Sequence, residues 1–95
     1  MGELRYTPVR HRMLRVVRDG GLTWQPSTPR WPLSYLWDGL LIVPGGDLVE
    51  AITGLHDEGA LLRHLNRSGA GEVHLSVIGF VALEGWDARY GKVEN

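Results

Sequence analysis

A chain of 95 residues, 43% hydrophobic and 22% charged, is large enough for one core and too apolar for wholesale disorder. Its net charge of -1 lacks the positive surplus of a typical nucleic-acid binder, so local charge has to carry any such role. With no cysteine, disulfides, thiolate metal centres and cysteine nucleophiles are excluded. No apolar run reaches the length of a bilayer span and no leader pattern opens the chain, so a cytoplasmic protein without a membrane partner is expected.

In chain order, Met1 to Tyr6 reads as a frayed start or an edge segment. Thr7-Pro8 predicts a helix start, with a capping hydroxyl followed by proline where its missing N–H costs nothing. That helix runs to about Asp19 and stops at Gly20-Gly21. At about 100° per residue, Val9, Met13, Leu14, Val16 and Val17 share one arc. His11, Arg12, Arg15 and Arg18 fall on the other, with Arg10 at the boundary. Such an arginine face is either simply solvated or a surface for phosphates or an acidic partner.

Leu22-Thr23-Trp24 suits a short strand, and the three prolines between Gln25 and Pro32 then require an extended loop. Tyr35-Leu36-Trp37 and Leu40-Leu41-Ile42 flank Asp38-Gly39, a two-residue turn signature. A hairpin is therefore favoured here over a helix capped by Ser34. Trp24, Trp31 and Trp37 all lie in this region, either covering a small core or, with Trp31 exposed, offering an aromatic patch to a partner.

Pro44-Gly45-Gly46 is a turn, and Asp47 with Glu50 three residues later predicts a reciprocal capping box. The next helix buries Leu48, Ala51, Ile52 and Leu55 and turns Glu50, Thr53, Gly54 and Asp57 outward, with Glu58 nearby. Gly59 ends it, since glycine takes the left-handed conformation freely. Leu61–Leu65 and Glu72–Ser76 read as strands around a glycine-rich turn over residues 66–71. Ser76 caps a last helix with Phe80, Leu83, Trp86 and Tyr90 to one side, packed on the first helix, and Gly91 to Asn95 form a polar tail.

Leu55-x-x-x-Gly59 with Leu61, Leu62 and Arg63, followed by Val73-x-Leu75-Ser76-x-x-Gly79-x-x-x-Leu83, resembles the second half of a winged-helix domain of the MarR regulator kind. The likeness covers about a third of the chain, with turn, cap and core positions fixed together. It implies an α+β winged helix: three main helices, a β-hairpin wing in the C-terminal half, and an extra hairpin and Pro-rich insert between the first two helices. The family's second helix would fall where the Asp-Gly hairpin is predicted, leaving the helix-turn-helix incomplete.

The resemblance further implies a homodimeric transcriptional regulator bound to double-stranded DNA. With the basic face of the first helix added, the DNA contacts expected are Arg12, Arg15, Arg18, Thr53, Arg63, His64 and Arg67, the last by its wing-tip position. The partner contacts expected are Trp31, from the aromatic insert, and Trp86 and Tyr90, on the terminal helix. One feature of the residues opposes this. From Asp38 to Glu58 there are five acids and no Lys or Arg, and four of the five lie on the helix at residues 47–58 that should enter the major groove. The competing expectation is a protein-association module that uses the acidic helix at residues 47–58 and the Trp-rich insert. His64 and His74 lie on opposing strands but lack evident further metal ligands, so neither a metal nor another cofactor is expected. His56-Asp57-Glu58 diverge around their helix and cannot converge on one substrate atom, so an enzyme is not expected.

Overall fold

A computed structural model describes residues 4–25, 34–42, 46–65, 67 and 71–91. Helix α1 (Pro8–Arg18) starts as its sequence requires: Thr7 Oγ1 accepts the Arg10 N–H at 3.0 Å and Pro8 holds the first turn. It ends in a Schellman closure, with Gly20 at φ +80° while Gly20 and Gly21 donate to Val17 and Val16. Helix α2 (Asp47–Asp57) closes identically: Gly59 at φ +82° donates to His56, and Ala60 donates to Leu55.

The start of α2 differs from the expected capping box. The cap residue is Gly46 and no side chain bonds an amide there, so Asp47 and Glu50 act only through their charge on the positive helix end.

Strands β1 (Leu22–Gln25), β2 (Ser34–Trp37), β3 (Leu40–Leu41), β4 (Leu61–Leu65) and β5 (Gly71–Leu75) form an antiparallel sheet in the order β3-β2-β1-β5-β4. The β2–β3 turn has positive φ at both Asp38 and Gly39, as a tight two-residue hairpin needs. Hairpin β4–β5 pairs Leu61 with Leu75 through Leu65 with Gly71, and β1 flanks its returning strand by pairing Thr23 with Glu72. Ser76 begins helix α3 (Val77–Tyr90) by accepting the Gly79 N–H and donating to the Gly59 carbonyl, which ties α3 to the end of α2.

The alternation along the strands gives the sheet one inner face, with Leu22, Tyr35, Leu61 and Val73 buried against Met13, Leu14, Ile52, Leu55 and Leu83 from the three helices. Full burial of such side chains contributes about 1.5–3 kcal/mol each. Trp24 and Trp37 pack on the edge of this core. Trp31, its Pro-rich loop, most of the β4–β5 turn, Pro44-Gly45 and the tail after Gly91 lie outside the described residues. No helix among the described residues is long and apolar enough to cross a membrane.

Candidate functional site

The predicted arginine face of α1 is largely occupied by the protein itself. His11, expected on the outer arc, is completely buried and its Nε2 lies 2.8 Å from Asp87 Oδ1 on α3. Arg15 and Arg18 approach the same carboxylate at 3.6 and 3.9 Å. Arg12 is half-buried, its guanidinium 5.0 Å from the Trp37 ring centroid. Arg10 crosses α2 at Gly54 to pair with Glu58, and a Cβ at Gly54 would stand 2.5 Å from Arg10 Nη2. Gly54, expected on the outer face of α2, is therefore half-buried beneath this arm. The physical reason is α3: its Asp87 faces the α1 flank that periodicity had assigned to solvent.

Arg63 is engaged in the same way. Its alternating position on β4 points it to the inner side of the sheet, 5.7 Å from the Trp24 ring, where its Nε donates to His56 Nε2 at 3.2 Å. Its positive charge also favours the phenolate of Tyr35, whose hydroxyl pKa is nevertheless raised because burial disfavours the phenolate more than Arg63 favours it. Trp24 in turn shares its indole N–H between the His64 and Glu72 carbonyls, both at 3.2 Å. Gly71 is the residue that allows this, since a Cβ there would meet the Trp24 ring at 2.5 Å.

What remains outside is acidic on α2 and mixed on the hairpin. Asp47, Glu50, Thr53, Asp57 and Glu58 are exposed, so Thr53 stands among carboxylates. Arg67 is exposed at the hairpin turn, and His64 and His74 are exposed on the outer face of the sheet. Of the seven residues expected to contact DNA, Arg12 and Arg15 are half-buried in intramolecular contacts, Arg18 and Arg63 make such contacts while remaining exposed, and Thr53, His64 and Arg67 are exposed.

The expected partner residues also divide. Trp86 is only 8% exposed and meets the Tyr6 and His11 rings edge-on, so it belongs to the core and is unavailable to a partner. Tyr90 is half-exposed and stacks on Tyr6 at 3.8 Å. Phe80, expected on the covered side with Leu83, faces outward. The covered side of α3 is Gly79, Leu83 and Trp86. It is set by Gly79, whose missing side chain lets the helix rest on the Ala60 carbonyl.

The outer side of the first half of α3 is consequently apolar: Val77 is 80% exposed, Val81 65%, Ile78 50% and Phe80 49%. Sequence reasoning missed these positions because the first half of α3 is apolar on every side, which removes the periodic signal. The spacing Gly79, Leu83, Trp86 was the available clue. A second apolar surface is a groove of about 520 Å³ between the β2–β3 hairpin and the start of α2, lined by Trp37, Leu40, Leu41, Ile42 and Leu48 with Asp38 and Asp47 at its rim.

Among the described residues no three His, Asp or Glu side chains are gathered for a metal ion. Neither family models, nor curated proteins, nor solved structures gave a match to this chain.

Proposed function

We propose that this chain is a self-associating protein-interaction module on a winged-helix-like scaffold, with the outer face of α3 as its contact surface. The scaffold reading is supported by β1 lying beside the returning strand of the hairpin that joins α2 to α3, with the β2–β3 hairpin in place of a second helix. The association reading rests on one observation: Val77, Ile78, Phe80 and Val81 are adjacent on little more than one turn of α3 and all are about half-exposed or more. A helical segment that is apolar all round is normally covered all round, and the first half of α3 is covered on one side. A two-fold contact between copies of the same helix covers the other side with no second kind of chain.

The test is the mass of the untagged chain by sedimentation velocity across a range of concentrations. A concentration-dependent dimer that Phe80→Glu with Val81→Glu converts to monomer, with unchanged circular dichroism, supports the proposal. A wild-type chain that stays monomeric throughout defeats it.

The second reading is a regulator that contacts double-stranded DNA, favoured by the exposure of Arg67 at the hairpin turn, where a cation can reach a phosphate or a minor groove. Its weakness is α2. Asp47, Glu50 and Asp57 would face the phosphates of a groove, and the arginines that could offset them are held by Asp87, Glu58 and the aromatic rings.

A further inference from the structure

Across the β4–β5 hairpin the register pairs Leu62 with His74 and His64 with Glu72, so His64, Glu72 and His74 share the solvent face of the sheet. The His64 and His74 rings are 5.3 Å apart between centroids, with their planes 65° to one another. A zinc ion bound to two imidazole nitrogens at about 2.0–2.1 Å stands roughly 3.2 Å from each ring centroid, and a tetrahedral angle then puts the centroids roughly 5.2 Å apart. The observed centroid spacing matches that separation, and rotation of the two exposed rings about their side-chain bonds directs their nitrogens to a shared ion.

We propose that this face of the hairpin binds one divalent transition-metal ion of the zinc, nickel or copper(II) class through the imidazoles of His64 and His74. Glu72 is the third donor. It lies directly opposite His64, where cross-strand Cβ atoms are about 4.5–5.5 Å apart, within reach of a glutamate by rotation of its side chain. That rotation is needed, because the three side chains are not gathered as they stand. Imidazole nitrogen with one carboxylate oxygen suits borderline ions and selects against calcium and magnesium, which take oxygen donors throughout. The hairpin holds both rings on neighbouring strands, so the second imidazole binds at high effective concentration once the first has the ion. His56 takes no part, because its Nε2 accepts the Arg63 Nε–H. His11 is enclosed in the core.

The experiment is a titration of the untagged chain with zinc chloride, following the four histidine ring signals by NMR and the heat by calorimetry. Expected are joint shifts of His64 and His74 that saturate at one zinc per chain, with His11 and His56 unmoved. His64→Gln and His74→Gln each weaken binding about tenfold or more. Both positions are exposed, so circular dichroism should not change. Ring signals that shift independently, or an affinity unchanged by either substitution, would show two separate imidazoles and overturn the site. Affinity unchanged in Glu72→Gln would overturn the assignment of the third donor. The site does not depend on the association proposed above, since all three donors come from one chain.

Discussion

His11 on α1 and Asp87 on α3 are 76 residues apart in sequence and 2.8 Å apart in space, and this bond decides where the basic residues of α1 go. The ring is completely enclosed, its Nδ1 has no hydrogen-bond partner among the described residues, and Tyr6 and Trp86 meet it edge-on. Asp87 is therefore the main polar partner of a buried group, the counter-charge of Arg15, and a second carboxylate for Arg18, which also pairs with Asp19 at 3.2 Å.

Asp87→Ala should cost about 2–3 kcal/mol of stability, because it leaves a buried imidazole unpaired and Arg15 without its carboxylate, while Arg18 keeps its nearer partner Asp19 at 3.2 Å. Arg18→Ala, which removes a longer and more exposed contact, should cost less than about 1 kcal/mol. Urea denaturation of the three proteins checks both values. Equal losses would mean that the carboxylate acts as a surface charge and does not support His11.

Two glycines of α3 should respond to alanine with opposite signs. At Gly85 nothing lies within 4 Å of an added Cβ, so Gly85→Ala should stabilise by about 0.5–1 kcal/mol through helix propensity alone. At Gly79 the added carbon falls on the Ala60 carbonyl, a backbone group that cannot rotate away. Gly79→Ala should therefore destabilise by about 1–3 kcal/mol in spite of the same propensity gain. Thermal melts of both variants decide the matter, and a stabilised Gly79→Ala would mean that α3 does not rest on Ala60.

Tyr35 gives a pH dependence with a definite sign. Burial raises its hydroxyl pKa above the ordinary 10.0, against a smaller opposing pull from Arg63. Above pH 10 the unfolded chain thus releases the proton more readily than the folded one. The contribution is complete below that pH and is lost as pH rises from 10.0 through the higher native value. The stability difference between wild type and Tyr35→Phe should be constant at neutral pH and shrink in alkaline solution. Guanidinium titrations of the pair at several pH values test this, and a difference that grows with pH would contradict it.

Charge reversal on α2 separates the two functional readings. The wild-type chain should show no more than weak, sequence-independent affinity for double-stranded DNA, because Glu50 and Asp57 are exposed on the helix that would approach the groove. Glu50→Lys with Asp57→Lys should add binding whose log affinity falls linearly with log salt, while self-association through α3 stays as it was. Tight wild-type binding that Arg67→Ala weakens on every sequence alike would favour the regulator instead.

Local chemistry made the element order legible in the residues. Thr7-Pro8, Asp38-Gly39, Gly59 and Ser76 each admit few backbone solutions, and the helix ends, the tight hairpin and the last helix stand where those residues require. The strand at Leu22–Trp24 was also readable, from its strand propensity.

Side-chain allegiance was not legible, because it depends on which element packs against which. The turn of α1 alone assigns His11, Arg15 and Arg18 to water, and only the arrival of Asp87 on α3 converts them into one network. For α3 the pattern placed Leu83 and Trp86 correctly but misplaced Phe80, since the first half of the helix is apolar all round. The contact of Gly79 with Ala60 is what selects the covered side and leaves Val77 and Val81 outside. Backbone conformation is decided within a few residues, so sequence determined it; burial is decided by neighbours far along the chain, so only the tertiary structure could.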